Sequence, residues 1–312
     1  MSFLLTGQTD SGKSTIAGNL LYNVGYFSSL SEEDQRYYRK HLDQIDDPIN
    51  KSRFSVLMDL LDGEILANKS KTVDFNICSF TDQDKSYNLI DTPGHKLYIR
   101  SLINGLFHIK LDLVCLVVSS LTNEFNESLE RGTIKEDLML ARSTGCTNLL
   151  VVWNKSDLNK PDKQMEAKIA AFIQKLSFKK VNHLQVCAYN KEDVLKILRF
   201  VEHSNIVKIS ETISETNSTP VVSTKFVTDG MMFTDQLISP GYKLMVHSKM
   251  GEIEAEVVKI KSLTGEMKVV RFIKDTGAYQ LILQSDEPSS ITKGTRVIFR
   301  NADTTLGFGV IM

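Results

Sequence analysis

No stretch of this sequence comes near the ~20 consecutive apolar residues that a helix needs to cross a bilayer. The first apolar run, Phe3-Leu4-Leu5, is too short for a secretory leader and gives way at once to a glycine-containing loop. Cysteine is sparse as well. Cys78, Cys115, Cys146 and Cys187 form no C-x-x-C pair and no short Cys/His spacing, which excludes a disulfide framework and a thiolate metal site of ordinary spacing. The thiols are expected to be reduced and the chain soluble and cytoplasmic, with no membrane partner. An excess of either charge is also missing, since 37 basic against 38 acidic residues leave a net charge of -1. No bulk attraction draws such a chain to nucleic acid. DNA is therefore not an expected partner, whereas RNA binding through a local basic face stays open.

What is present is ample material for a core. A chain of 312 residues with ordinary globular composition suggests two domains. Apolar runs that read as buried parallel strands recur near 2 to 6, 74 to 80, 87 to 91, 112 to 119, 148 to 154 and 183 to 188, with helical patterns between most of them. That alternation predicts an α/β fold, a doubly wound and mostly parallel sheet over residues 1–207. Residues 27–68 interrupt it with a charged, helix-prone insertion that includes Ser31-Glu32-Glu33-Asp34-Gln35-Arg36. A polar, Thr/Ser-rich stretch over 208–219 is the expected linker. Between 220 and 312, alternating segments such as Glu254-Ala255-Glu256-Val257-Val258-Lys259-Ile260 are punctuated by Asp229-Gly230, Ser239-Pro240-Gly241 and Thr264-Gly265, which predicts a small antiparallel β-barrel.

Three short segments fall at predicted strand ends, where open α/β sheets bind ligands. Gly7-Gln8-Thr9-Asp10-Ser11-Gly12-Lys13-Ser14 fits G-x-x-x-x-G-K-[ST] between a strand and a helix. A triphosphate must be solvated by backbone N–H groups without side-chain bulk, which Gly7 and Gly12 permit. Lys13 then bridges the terminal phosphates, Ser14 holds Mg²⁺ through its hydroxyl, and the helix adds its positive end. In Asp91-Thr92-Pro93-Gly94-His95, Asp91 can hold Mg²⁺ through water and Gly94 lets the chain approach the terminal phosphate. In Asn154-Lys155-Ser156-Asp157 the last carboxylate accepts from the N1–H and exocyclic amine of guanine and would face the wrong edge of adenine. Lys155 lays its stem along the purine. Taken alone, each of the last two segments also reads as a polar turn. Together the three predict a site for GTP or GDP with Mg²⁺.

With those residues in place, the N-terminal two thirds resembles the translational GTPases, most closely the branch of elongation factor 1-alpha, eukaryotic release factor 3 and the ribosome-rescue GTPase. Asp10-Ser11-Gly12-Lys13-Ser14-Thr15 matches that branch's phosphate loop, Asp91-Thr92-Pro93-Gly94-His95 its second switch, and the insertion after Tyr26 resembles one these factors carry. Cys187-Ala188-Tyr189-Asn190 stands where the branch has its third base loop. The resemblance implies that N–H groups near Ala188 meet the guanine carbonyl and that Thr72, in Lys71-Thr72-Val73-Asp74, completes the Mg²⁺ shell. It also implies that His95 is catalytic, orienting the attacking water.

Ile238-Ser239-Pro240-Gly241-Tyr242, Arg271-Phe272-Ile273-Lys274 and the segment Arg300 to Ile311 resemble the last barrel of the branch, which binds a tRNA stem or a release-factor-like partner. The branch's middle barrel has no counterpart, because only about a hundred residues follow the linker, enough for one domain. Two gate positions also differ: Lys71 and Thr9 are polar where the branch has apolar residues. The resemblance implies a GTPase that is slow without an activator, with the ribosome and a tRNA or tRNA-mimicking release or rescue factor as partners. The alternative reading is a nucleotide-binding interaction module with little or no turnover.

Overall fold

A computed structural model of the chain describes residues 1–43, 54–55, 57–58, 76–92, 103, 107–130, 134–203, 221–233 and 236–312. The chain divides into two compact units. The first comprises Met1–Leu102, Leu111–Asp137 and Cys146–Val207, the second Lys208–Met312 with the short stretches Ile103–Lys110 and Leu138–Gly145. The expected linker, 208–219, and much of the insertion lie outside the described residues.

The first unit is built on a six-stranded sheet. Its strands are β1 (Ser2–Thr6), β2 (Asn76–Asp82), β3 (Lys85–Asp91), β4 (Leu113–Ser119), β5 (Asn148–Asn154) and β6 (Lys180–Gln185), in the order β2-β3-β1-β4-β5-β6. Every pairing from β3 to β6 is parallel. Strands β4 and β5 are buried along their whole length, as their unbroken apolar runs require when helices cover both faces. The sequence pattern read 74 to 80 as another parallel strand, but β2 pairs antiparallel with β3. Only Gln83 and Asp84 connect them, both left-handed at φ 46° and 61°. Two residues make a tight hairpin and cannot make a parallel crossover.

The helices are α1 (Lys13–Asn23), α2 (Glu32–Asp43), α3 (Thr122–Glu130), α4 (Ile134–Ser143), α5 (Lys163–Lys175) and α6 (Lys191–His203). Their starts follow local chemistry. Ser31 accepts from the Asp34 N–H ahead of a first turn of three acids at α2, Asp162 accepts from the Met165 N–H at α5, and Asn190 accepts from two N–H groups of α6. Ile16, Leu20 and Leu21 of α1 pack with Val194, Ile197 and Val201 of α6 in one core that also holds Phe3, Leu5, Cys115 and Val117 of the sheet.

The second unit contains β7 (Val221–Met232), β8 (Lys243–Ser248), β9 (Gly251–Ser262), β10 (Lys268–Val270), β11 (Gly277–Ile291), β12 (Arg296–Arg300) and β13 (Thr305–Ile311). The order is β10-β9-β11-β7-β13-β12-β8, and β8 pairs again with β9. The ring of six antiparallel strands therefore closes, with β10 lying outside it on β9. Closure removes sheet edges. Its interior is filled by Phe226, Leu244, Val246, Val257, Ile260, Leu281, Leu283, Val297 and Phe299 among others.

Candidate nucleotide site

The order β3-β1-β4 means that the chain leaves β1 toward β2 and β3 and leaves β3 toward β4 on the other side of β1, which opens a crevice at the carboxyl ends of these strands. The loop 7–12 leaves β1 there. Gly7 and Gly12 have φ of 140° and 96°, and a Cβ on either would collide, with the Val117 carbonyl at Gly7 and the Asn154 side-chain amide at Gly12. Both positions thus need glycine for space as well as conformation. Ser11 N–H donates to Gln8 C=O at 3.2 Å and Ile16 N–H to Gly12 C=O at 2.9 Å, which folds the loop over the start of α1. Asp10 is exposed and left-handed at φ 62°, Ser11 is buried, and Ser14 and Thr15 sit half-buried on the first turn of α1.

Lys13 is the electrostatic centre. It is only 5 % exposed, and its Nζ donates to the Gln8 carbonyl at 2.7 Å. Burial pushes its pKa down from the ordinary lysine value, while the charges of Asp91, Asp137 and Asp10 act in the opposite sense. Asp91, 6 % exposed, ends β3. The next residue, Thr92, donates its hydroxyl to the Leu5 carbonyl at 2.9 Å and so ties this end of β3 to the end of β1. Gly94, His95 and Thr72, also expected at the site, lie outside the described residues.

The base-side segments are laced to the phosphate loop by Asn154. Its Nδ2 donates to the Ser11 carbonyl at 2.8 Å, 143 positions away in sequence, and its Oδ1 accepts from the Ala188 N–H at 2.9 Å. Asn154 is 2 % exposed. The expectation that the Ala188 N–H meets guanine therefore acquires a condition, because a base seated here shares that donor with Asn154. Asp157 is exposed, and the Cys187 thiol faces it; burial first, and then Asp157, raise that thiol's pKa. Lys155, left-handed at φ 62°, reaches Glu124 on α3 at 2.6 Å. Replacing Asn154 by alanine strips partners from two buried backbone groups at once. The Asn154→Ala chain is expected to lose about 2 to 4 kcal/mol of stability in its first unit, read as a lower urea midpoint with unchanged slope.

One positioning residue, Asn19, escaped the sequence motifs. It is 1 % exposed on α1, donates to the Ala188 carbonyl at 2.7 Å and fixes the base loop from the other side. Asn190 caps α6 directly after that loop. A buried asparagine inside an apolar helix face was the available signal for Asn19, since such a group must find a partner.

A polyphosphate fits these residues. A nearly enclosed ammonium with a depressed pKa needs an anion to hold its charge, and the Ser11 Oγ and Gln8 Oε1 are buried without a hydrogen-bond partner among the described residues. Fold and site together define a P-loop nucleotide-binding domain followed by a closed β-barrel. Residues 1–208 match the family model for the elongation factor Tu GTP binding domain, and the chain belongs to that family. It is 28 % identical over 210 residues to elongation factor 1-alpha of Hyperthermus butylicus, a match covering 63 % of this chain and 44 % of that protein. It is 35 % identical over 159 residues to the eukaryotic peptide chain release factor GTP-binding subunit of Ogataea pini, covering 50 % of this chain and 20 % of that one. The chain thus spans less than half the length of these curated relatives. In fold it is similar to the S. cerevisiae Ski7 GTPase-like domain bound to GTP, with a TM-score of 0.70 at 14 % identity over 100 % of this chain and 97 % of that one.

Proposed function

We propose that the chain is a guanine-nucleotide switch of the cytoplasmic translation machinery that passes between GTP and GDP forms and hydrolyses GTP slowly until the ribosome completes its site. The observation that supports this most is the convergence of buried Lys13, the Gly7/Gly12 loop and the Asn154 lacing at the carboxyl ends of the strands. Lys13 and the loop N–H groups hold the terminal phosphates as charge builds on the transferring phosphoryl group. Mg²⁺, when bound, neutralises charge between the outer phosphates, and Ser14, Asp91 and Thr72 would hold it. Asp157, Lys155 and the Ala188 loop select guanine. Gly94 approaches the terminal phosphate, and His95 orients the attacking water.

The relatives are elongation factors and release-factor subunits, which favours a tRNA or a tRNA-shaped release or rescue factor as the cargo of the barrel. His95→Ala is expected to lower ribosome-stimulated phosphate release by about 10² to 10³-fold in single-turnover assays. A second reading, a module that keeps its nucleotide with little turnover, is favoured by the first-switch sequence, where Lys69-Ser70-Lys71-Thr72 departs from the pattern of the branch. The Ski7 GTPase-like domain has been solved bound to GTP and also bound to GDP and inorganic phosphate. Tight GTP binding by this chain without phosphate release, even on ribosomes, would select the module.

A further inference from the structure

In the reading above, Lys155 offers its stem to the purine, yet a lysine stem is a flexible surface. What fixes it lies outside the motif. Lys155 Nζ is 2.6 Å from Glu124 Oε2, with side-chain exposures of 25 % and 44 %. Glu124 is itself aimed. Partial burial works to raise its pKa, but hydrogen bonds from Lys155 and Ser119, with the Lys155 charge, hold the carboxyl below its ordinary value. The backbone beneath Lys155 is pinned as well. Its carbonyl accepts from the Leu158 and Asn159 N–H groups at 3.0 and 3.2 Å, and the Asn159 side chain donates to the Ser120 carbonyl at 3.0 Å. Ser120 N–H returns a bond to the Asn154 carbonyl at 2.8 Å. Both ends of the lysine are therefore tied to one segment, residues 119–124, at the end of β4 and the start of α3.

We infer that Glu124 is a positioning residue of the nucleotide site: anchored at the far end of Lys155, it holds that stem as a preformed wall for the purine and thereby sets how fast the nucleotide leaves. This rests on the guanine-nucleotide reading. Ordering a long side chain costs rotamer entropy, and an ion pair that meets this cost before the nucleotide arrives leaves less to be lost on binding. A half-exposed pair adds little to fold stability. Its effect belongs to release.

The test is stopped-flow release of a fluorescent GDP from the intact chain. Glu124→Gln keeps the shape and the capacity to accept from Ser119 but loses the charge, and is expected to speed release about five-fold. Lys155→Ala speeds it at least as much. The double variant releases no faster than Lys155→Ala alone, because Glu124 acts only through Lys155. Added salt accelerates the wild type toward the Glu124→Gln rate and barely changes the variant. Unchanged release in Glu124→Gln overturns the inference, as do effects that multiply in the double variant, the signature of a separate structural role for Glu124. Wild type that takes up no fluorescent GDP sinks the underlying nucleotide reading instead.

Discussion

Lys13→Met is expected to give a chain that melts higher when empty and gains nothing from GTP or GDP. Methionine fills much of the space of the lysine stem without a charge. The empty wild type must keep an ammonium in a site that is only 5 % exposed, and burial lowers its pKa. Removing that charge relieves the empty fold. The sign with pH follows from the same shift. Between the depressed folded value and the ordinary 10.5, the unfolded chain holds a proton that the folded chain has lost, so wild-type stability rises with pH across that window. The methionine variant lacks that rise. With GDP at roughly 1,000 times its dissociation constant, the wild type should gain about 4 kcal/mol, or roughly 8 to 16 °C in the melting of a unit of this size. Differential scanning calorimetry of both proteins with and without GDP decides it. A Lys13→Met chain that still melts higher with GDP would remove this lysine from the site.

The second large effect is expected at Asp157. A carboxylate accepts twice from guanine, whereas the amide of Asp157→Asn can accept only once and turns a donor toward the exocyclic amine. Sites that read a base through such bonds lose ~10³-fold or more when one is mismatched. Xanthine carries a carbonyl where guanine has that amine, so the same amide becomes complementary. Calorimetric titration should show GDP affinity falling by about three orders of magnitude while xanthosine diphosphate affinity rises. ADP should bind neither protein. An Asp157→Asn chain with undiminished GDP affinity would mean that the base is read elsewhere.

The phosphate loop was legible in sequence because its constraint is local: Gly7 and Gly12 stand where side chains would collide, and Lys13 opens the helix that follows. The strands β4 and β5 were legible for a related reason, since burial on both faces leaves no polar position to blur the pattern. At β6 the pattern misled. The apolar residues Val186 and Ala188 suggested a strand over 183 to 188, but the strand is Lys180–Gln185, mostly exposed along its length, and those two residues are buried in the loop beyond it. An edge strand needs little apolar surface, while a loop that carries a binding group must be packed to hold still. The same limit hid Glu124 and Asn19. An acid and an amide on helices are common, and only their distant partners, Lys155 and Ala188, give them meaning.

By itself the sequence determined an α/β sheet with a glycine loop after its first strand and a β-rich unit beyond it, because glycine conformations, buried apolar runs and turn residues act over a few positions. Only the tertiary structure decided that the barrel closes by pairing β8 with the distant β12 as well as with β9, and that Asn154, Asn19 and Glu124 bind the loops together. Those outcomes depend on hydrogen bonds and ion pairs between residues as far as 169 positions apart. Such partners are selected by the packing of the whole chain, which no local pattern encodes.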